Sequence, residues 1–246
     1  MEPTEVFEAE ARRRGYRLIA GVDEAGRGPL AGPVVAAAVV LPRRFRLPGL
    51  NDSKVLPESD RERLFDEITS RAVGIGLGQA SPQEIDELNI LEATRLAMTR
   101  AIRALAPPPD FVLIDALTLT TLPFPQRAII KGDGLSPSIA AASILAKVTR
   151  DRLMQELHRQ FPRYRFERHK GYPTPEHLRL LAEYGPCTVH RVSFAPVGQV
   201  LRPSVGGGRA VGPRRPAEPE PSQAMFADWV GPTPPRPRRR PEAGSE

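Results

Sequence analysis

The sequence predicts an α/β fold in which strands alternate with helices, followed by a helical C-terminal portion. Residues 34–41 (VVAAAVVL) and 111–115 (FVLID) are short apolar runs with the length of strands buried inside a sheet. Signals for helix starts lie between and after these runs, and beyond residue 136 only helical patterns follow. This order of elements is typical of a sheet flanked by helices.

The first half of the chain supplies three of the predicted strands. Residues 17–23 (RLIAGVD) predict a strand that leads into the turn Gly26-Arg27-Gly28. Residues 34–41 predict a central strand that is covered on both faces. Pro57 and the acidic residues after it predict a helix to about Arg71, because proline suits the first turn and acids favour the positive helix end. Residues 73–80 predict the third strand.

The next helix begins at a capping box. In Ser81-Pro82-Gln83-Glu84, the serine and glutamate side chains can each bond the other's backbone, and proline takes the first helical position. We expect this helical stretch to reach about Leu105, with an interruption near Asn89. The remaining predicted elements are a strand over 111–115, a strand over 127–130, a helix over 136–161 and a helix from 174 onward.

Composition limits the class of protein. With 246 residues, 40% of them hydrophobic, the chain can bury one sizeable core or two small ones. The single cysteine, Cys187, excludes an internal disulfide framework and a zinc site built from several cysteines. The longest apolar run, 30–41, is shorter than the roughly 20 residues that span a membrane. The acidic N-terminus lacks a signal core, so we expect a soluble, cytoplasmic protein without a membrane partner.

The charge and the C-terminal tail set two further expectations. Lys+Arg 35 against Asp+Glu 29 gives a net charge of +6, which permits an anionic partner such as nucleic acid. Residues 203–246 hold 10 of the 28 prolines together with Gly and Arg runs, and such a composition cannot bury enough apolar surface to fold. We therefore expect a folded domain over 1–202 and a disordered tail over 203–246. The small apolar island around Trp229 is either inert, which we expect, or a docking segment for an unknown partner.

Four carboxylates follow or interrupt the predicted strands: Asp23, Glu24, Asp115 and Asp133. Strand ends in α/β sheets commonly carry functional side chains. Acids gathered there repel one another unless a cation intervenes, and oxygen ligands favour Mg²⁺ or Mn²⁺. Two such ions can activate a water and stabilise the leaving oxygen in phosphodiester cleavage. Each carboxylate taken alone is more often a solvated loop residue, and sequence spacing does not show that the four converge.

Asp23 and Glu24 present a geometric difficulty. Adjacent strand residues point to opposite faces of a sheet. Both can serve one site only if the strand breaks at Glu24 or if Glu24 lies at a bulge. Because Gly26 and Gly28 follow closely, we expect such a break.

A second group of residues is suited to bind phosphate and bases. The glycines of Gly26-Arg27-Gly28 expose backbone N–H groups, and Arg27 can hold a phosphate with two hydrogen bonds. Lys54 and Lys131 are further phosphate-binding candidates, and Tyr172 can stack on a base or sugar. The alternatives are a tight turn for the glycines and a turn-fixing role for the tyrosine. His190 and Arg191 fit either a helix cap or a backbone contact.

Several motifs together resemble bacterial ribonuclease HII. They are 21–35 (GVDEAGRGPLAGPVV), 51–54 (NDSK), 131–151 (KGDGLSPSIAAASILAKVTRD), 169–172 (HKGY) and 190–197 (HRVSFAPV). The resemblance covers about residues 16–200 in the family's order, which is far more specific than any single motif.

The resemblance implies a ribonuclease H-like fold, with a mixed five-stranded sheet flanked by helices and a C-terminal helical segment. It implies hydrolysis of the RNA strand of RNA/DNA hybrids and incision at single ribonucleotides in duplex DNA. We expect two-metal hydrolysis on the 5′ side of the ribonucleotide, with Mg²⁺ or Mn²⁺, leaving 3′-hydroxyl and 5′-phosphate ends. We also expect a monomer.

The resemblance also implies residue roles. The family's four metal-binding acids match Asp23, Glu24, Asp115 and Asp133. Its loop that reads the 2′-hydroxyl and adjoining phosphates matches Gly26, Arg27 and Gly28, and its stacking tyrosine matches Tyr172. Three positions depart from the family's pattern, namely Ala116, Pro173 and Val192. None is a metal ligand, so we expect them to affect local positioning only.

Two other functions remain open at this point. One is a different metal nuclease on the same fold, such as a junction resolvase, which would cut four-way DNA junctions. The other is a non-catalytic nucleic-acid-binding module, which would bind without metal and with a steep salt dependence. Clustered acids argue against the second, because they repel phosphate unless cations intervene.

Overall fold

The computed structural model describes residues 2–201 and contains a mixed five-stranded sheet of order β3-β2-β1-β4-β5. The strands are β1 (Ile19–Ala25), β2 (Val34–Val40), β3 (Gly74–Ala80), β4 (Phe111–Asp115) and β5 (Gln126–Ile129). β1 to β3 are joined antiparallel, whereas β1, β4 and β5 are parallel. The predicted fold class is confirmed. The tail predicted over 203–246 lies outside the described residues.

The helices lie between the strands and after them. They are α1 (Val6–Arg13), α2 (Glu58–Arg71), α3 (Pro82–Leu88), α4 (Ile90–Arg103), α5 (Pro137–Gln160), α6 (Phe166–His169), α7 (Pro175–Tyr184) and α8 (Ala195–Leu201). A short 3₁₀ turn, Gly132–Gly134, precedes α5 and positions an acidic residue discussed below. Over residues 2–201, no helix is both long and apolar enough to cross a membrane.

Two hydrophobic cores cover the two faces of the sheet. Ala36 and Ala38 of β2 pack with the α4 side, whereas Ala37 and Val39 pack with α2 and α5. Every residue of β2 is buried, as its continuous apolar run predicts. The sheet therefore has an α4 face and an α5 face, and this distinction decides where each acidic side chain points.

Several local predictions hold, with shifted boundaries. The capping box at Ser81 and Glu84 is formed in both directions. Asn89, at φ 73°, separates α3 from α4, and its side chain caps α4. Pro57 lies at the N-cap of α2, one position before the helix in which it was predicted. β1 starts and ends later than predicted, because its pairing with β2 runs from Ala20 to Ala25.

The C-terminal segment packs against a loop, residues 26–33, that joins β1 to β2. The N–H of Leu30 donates to the carbonyl of Gly171 at 2.8 Å, and the N–H of Arg191 donates to the carbonyl of Leu30 at 2.8 Å. Ala31 also forms an isolated antiparallel bridge with His190. These bonds hold the loop against residues distant in sequence. We call residues 26–33 the reading loop, after the expectation that its Gly26-Arg27-Gly28 turn reads the 2′-hydroxyl.

Candidate active site

Three of the four carboxylates meet at one end of the sheet. Val22 and Ile114 are paired in the parallel β1–β4 register and both pack on the α4 face. The next residue on each strand, Asp23 or Asp115, therefore turns to the α5 face. Asp133 lies in the 3₁₀ turn directly before α5, so it approaches from the helix that covers this face. Asp23 is 2% exposed and Asp133 is 6% exposed.

Glu24 reaches the same end of the sheet without the expected break in β1. The register continues regularly, with Asp23 opposite Ala37 and Glu24 opposite Ala36. The predicted break or bulge is therefore wrong, because β2 pairs with β1 beyond the glutamate. Alternation along β1 directs Glu24 toward the α4 face. Because β1 ends at Ala25, its carboxylate nevertheless lies close enough to Asp23 and Asp115 for the charges to interact without a break in the strand. On its other edge, β1 pairs with β4 only as far as Val22, so Glu24 has no pairing partner on β4.

Each acidic group has a specific donor or charge beside it. The N–H of Gly132 donates to Asp115 Oδ1 at 2.7 Å, and the N–H of Glu24 donates to Asp23 Oδ1 at 2.8 Å. Lys54 Nζ donates to Asp133 Oδ2 at 3.0 Å. Arg27 Nη1 lies 3.4 Å from Glu24 Oε1. Each of the four carboxylates therefore has a different backbone N–H group or cationic side chain as its neighbour.

The pKa values of three of the carboxyl groups are raised, which indicates an excess of negative charge in the buried acidic cluster. Burial raises the pKa of Asp23 well above its ordinary value, and the charges of Glu24 and Asp115 raise it further. Burial also raises the pKa of Glu24, although Arg27 partly offsets this effect. The pKa of Asp115 rises through burial and the charge of Asp133. Like-charge repulsion and desolvation both disfavour the ionised forms.

Lys54 responds in the opposite direction. Burial lowers the pKa of Lys54, but the hydrogen bond and charge of Asp133, with the charges of Asp52 and Asp23, outweigh burial and raise it above its ordinary value. Lys54 is the one cation that contacts Asp133 among the salt bridges of the described residues. It therefore supplies local positive charge to the acidic cluster.

The acidic cluster fits a hard divalent cation in its chemistry. Asp23 Oδ2 and Glu24 Oε2 are buried and have no hydrogen-bond partner among the described residues. A buried carboxylate oxygen without a donor is unfavourable, and a cation relieves it. Oxygen donors suit Mg²⁺ or Mn²⁺. Among residues 2–201, no three acidic, histidine or cysteine side chains form a ready-made group that could hold a metal ion.

The reading loop and Tyr172 lie beside the acidic cluster, since Arg27 contacts Glu24 and Gly28 is next to the tyrosine ring. Gly26 adopts φ +98°, and Arg27 and Gly28 beyond it are exposed. A Cβ added at Gly28 would lie 3.8 Å from Tyr172 Cε1, so the glycine and the ring are close neighbours. Tyr172 is 41% exposed. The structure thus brings the predicted loop and the predicted stacking residue together.

The other predicted phosphate ligand and a departure from the family pattern lie around Asp115. Lys131 is exposed, adopts φ 58°, and directly precedes Gly132, whose N–H bonds Asp115. Ala116, which follows Asp115, adopts φ 51°. This left-handed conformation is the one that glycine tolerates best. Alanine at this position therefore carries backbone strain.

Sequence reasoning missed one residue and left another undecided. Arg191 makes backbone contacts to the reading loop, which decides between the two alternatives for this position. Arg150 was given no role, although it is buried and bonds the same loop. Arg150 lies in the polar part of α5, residues 147–152 (KVTRDR), where an arginine is ordinarily exposed, so the sequence held no signal of its burial.

Comparison with known proteins decides the family. A family model described as Ribonuclease HII matches residues 20–197. The chain belongs to the ribonuclease HII family. A ribonuclease HII of Desulfitobacterium hafniense is 61% identical over 187 residues, which cover 76% of this chain and 72% of that protein. The resemblance seen in the sequence motifs is confirmed, and so is the assignment as a metal-dependent ribonuclease of the ribonuclease H type, acting on RNA/DNA hybrids.

Solved structures agree with this assignment. The ribonuclease H2 of Pyrococcus horikoshii OT3 has a TM-score of 0.64 and 29% identity, covering 75% of this chain and 97% of that one. Bst-RNase HIII in complex with Mn²⁺ has a TM-score of 0.59 over 78% of this chain and 71% of that one, and at 20% identity it supports the fold alone. The sheet and flanking helices are therefore those of ribonuclease H-like proteins.

Proposed function

We propose that this member of the ribonuclease HII family, besides cleaving RNA/DNA hybrids, incises duplex DNA on the 5′ side of an embedded ribonucleotide. The products are a 3′-hydroxyl and a 5′-phosphate. The observation that carries the proposal is the juxtaposition of buried carboxylates with the reading loop and Tyr172 at one end of the sheet. The carboxylates would hold the metal ions that cleave the phosphodiester. The exposed backbone N–H groups of the loop would recognise the 2′-hydroxyl of a ribonucleotide.

We assign the metal-holding role to Asp23, Glu24, Asp115 and Asp133, with Mg²⁺ or Mn²⁺ as the cofactor. When bound, a pair of such ions lowers the pKa of a coordinated water and stabilises charge on the leaving oxygen. The unpartnered oxygens of Asp23 and Glu24 support this assignment. Lys54 exchanges its bond to Asp133 for a substrate phosphate, and Lys131 at the rim binds a neighbouring phosphate.

Selection for RNA rests on the reading loop. Only the 2′-hydroxyl distinguishes a ribonucleotide from a deoxyribonucleotide at one position. The N–H groups of Arg27 and Gly28 donate to no residue in the described part of the chain, and both residues are exposed. They can therefore donate to the hydroxyl and to the adjoining phosphate. The Tyr172 ring stacks beside the sugar or base at the junction.

The test is cleavage of a labelled DNA duplex that carries one ribonucleotide, with Mg²⁺, Mn²⁺ or a chelator. We expect a single metal-dependent cut on the 5′ side of the ribonucleotide, which leaves a nick with a 3′-hydroxyl and a 5′-phosphate. An all-DNA duplex and a four-way DNA junction are the controls. Cutting of the junction would favour a resolvase, and metal-independent binding without product would favour a binding module.

We also propose that the enzyme acts as a cytoplasmic monomer. The support is that all the proposed site residues come from one chain, so no second copy is needed to complete the site. Light scattering during size-exclusion chromatography measures the mass directly. A mass near 27.0 kDa is expected for the full chain, and a stable dimer would contradict the proposal.

A further inference from the structure

We propose that Arg150 and Arg191 are positioning residues that orient the reading loop toward the substrate. The two residues are buried, at 1% and 0% exposure. Within residues 2–201, Arg191 bonds backbone carbonyls alone, and Arg150 bonds backbone carbonyls and the thioether of Met154. The inference rests on the proposed function, because it assumes that the reading loop binds the ribonucleotide. It assigns the orientation of that loop to two side chains outside it.

Arg191 makes four hydrogen bonds to the reading loop. Nε donates to the carbonyl of Gly32 at 3.0 Å, and Nη2 donates to the same carbonyl at 2.8 Å. Nη1 donates to the carbonyl of Arg27 at 3.0 Å, and Nη2 donates to the carbonyl of Gly26 at 2.6 Å. The planar fork of a guanidinium can hold several carbonyls at once, which an ammonium group does less well.

These bonds determine which way the loop's N–H groups point. In a planar trans peptide, the carbonyl of one residue is antiparallel to the N–H of the next. The carbonyl of Gly26 points inward to Arg191, so the N–H of Arg27 points away from it. The carbonyl of Arg27 also points inward, so the N–H of Gly28 points away as well. Both N–H groups therefore face outward, free to donate to a ligand.

Arg150 connects the loop to the segment that carries Tyr172. Nε donates to the carbonyl of Pro33 at 3.0 Å, and Nη2 donates to that of Ala31 at 3.1 Å. Nη1 donates to the carbonyl of Lys170 at 3.0 Å, and the guanidinium carbon lies 6.0 Å from the Tyr172 ring centroid. Arg150 thus fixes the distance between the loop and the stacking residue.

Gly26 is required by this arrangement. A Cβ at Gly26 would lie 2.1 Å from Arg150 Nε, which is closer than any real contact. The glycine therefore serves the buried guanidinium as well as the turn.

The two charges have no carboxylate partner. No salt bridge of the described residues includes either arginine. The nearby acids are otherwise engaged: Asp151 accepts from Lys147 Nζ at 2.7 Å, and Asp86 accepts from the N–H groups of Val192 and Ser193, each at 2.9 Å. Carbonyls satisfy the N–H donors but carry no charge. The positive charge beneath the loop is therefore left to attract a phosphodiester.

The experiment compares Arg191→Lys and Arg150→Lys in the full chain with Arg152→Lys as the matched control. Arg152 lies on the same helix, is exposed, and pairs with Glu62. Lysine keeps the charge and removes the fork. Kinetics use a duplex with one ribonucleotide, and thermal unfolding of each variant is measured in parallel.

We expect KM to rise about tenfold or more in both test variants, since one lost charged hydrogen bond corresponds to roughly that change. The kcat value should change far less, because the carboxylates are untouched, and Arg152→Lys should match the wild type. A KM equal to the wild-type value, an equal effect on kcat alone, or failure of both variants to fold would overturn the positioning role. If wild-type enzyme does not cut at an embedded ribonucleotide, the proposed function itself fails.

Discussion

At the scale of single residues, the carboxylates illustrate a conflict between stability and function. Asp23 is buried beside two other acids and has one oxygen without a donor. A buried unpaired charge is unfavourable, so this carboxylate lowers the stability of the metal-free protein, and the proposed metal-holding role would offset that cost. The sign of its effect on stability follows. With a raised pKa, the folded state binds the proton more tightly than the unfolded state, so stability falls as pH rises above about 3.8.

Asp23→Asn tests this conflict directly. We expect cleavage in Mg²⁺ to fall by at least about a hundredfold, because a metal-holding oxygen is lost. We expect the free energy of unfolding of the metal-free protein at neutral pH to rise by on the order of 1 kcal/mol. Chemical denaturation in chelator and cleavage assays measure the two effects. Near-normal cleavage would contradict the metal assignment.

Ala116 provides a second residue-scale prediction. Its φ of 51° lies in the left-handed region, which costs a non-glycine residue roughly 1 kcal/mol. Ala116→Gly should therefore stabilise the protein by about 0.5–1 kcal/mol, measured by denaturant unfolding. Cleavage should be retained, because the bond from the Ala116 N–H to Ile129 is a backbone bond. A loss of stability would show that the turn is not strained.

At the scale of elements, the helices approach the sheet closely at glycines. A Cβ at Gly78 of β3 would lie 2.3 Å from the carbonyl oxygen of Ala97 and 2.4 Å from the N of Ala101, both on α4. A Cβ at Gly21 of β1 would lie 2.1 Å from the backbone of Ser138 on α5. Because the clashing atoms are backbone atoms, neither helix can accommodate a methyl group without moving.

Gly78→Ala should therefore destabilise the protein by about 1–3 kcal/mol, the usual range for overpacking. Gly134→Ala is the matched control, because nothing lies within 4 Å of a Cβ there. Thermal or denaturant unfolding compares the two variants with the wild type. Equal stability of both variants would show that α4 can shift away from β3 without cost.

At the scale of the whole molecule, a buried histidine cluster joins the C-terminal helices to the rest of the fold. His177 Nε2 and His190 Nε2 are 3.1 Å apart, and His190 Nδ1 lies 3.0 Å from the N of Cys187. Burial lowers the pKa of His177 to about 4 and that of His190 to about 3. Two facing imidazoles cannot both be protonated there without strong repulsion.

The histidine cluster should therefore contribute a loss of stability on acidification, opposite in sign to the contribution of Asp23. Below about pH 6.5, these histidines bind protons in the unfolded chain but stay neutral in the folded protein. The free energy of unfolding therefore falls with pH until the pH reaches the lowered pKa values. Two such groups give a slope of up to about 2.7 kcal/mol per pH unit. Denaturant unfolding between pH 7 and 5 measures the slope. His177→Asn should reduce it, and an unchanged slope would exclude the cluster as the cause.

The apolar runs, the capping box and the order of motifs were sufficient to predict the sheet, most helices and the family. These features are local: a strand over 34–40 or a cap at Ser81 depends on neighbours in the chain. The path of β1 past Glu24 was predicted wrongly, because pairing with β2 is a non-local interaction that overrides the preference for a break at Gly26.

The sequence by itself therefore determined the fold class and the family, and it supplied the acids, glycines and tyrosine that we propose for the site. Tertiary structure alone decided the faces of Asp23 and Glu24, the bond from Lys54 to Asp133, and the burial of Arg150 and Arg191. The physical reason is that burial and charge pairing depend on groups brought together by packing. Residues such as Gly26 and Arg191 are far apart in the chain, and no local pattern records that they touch.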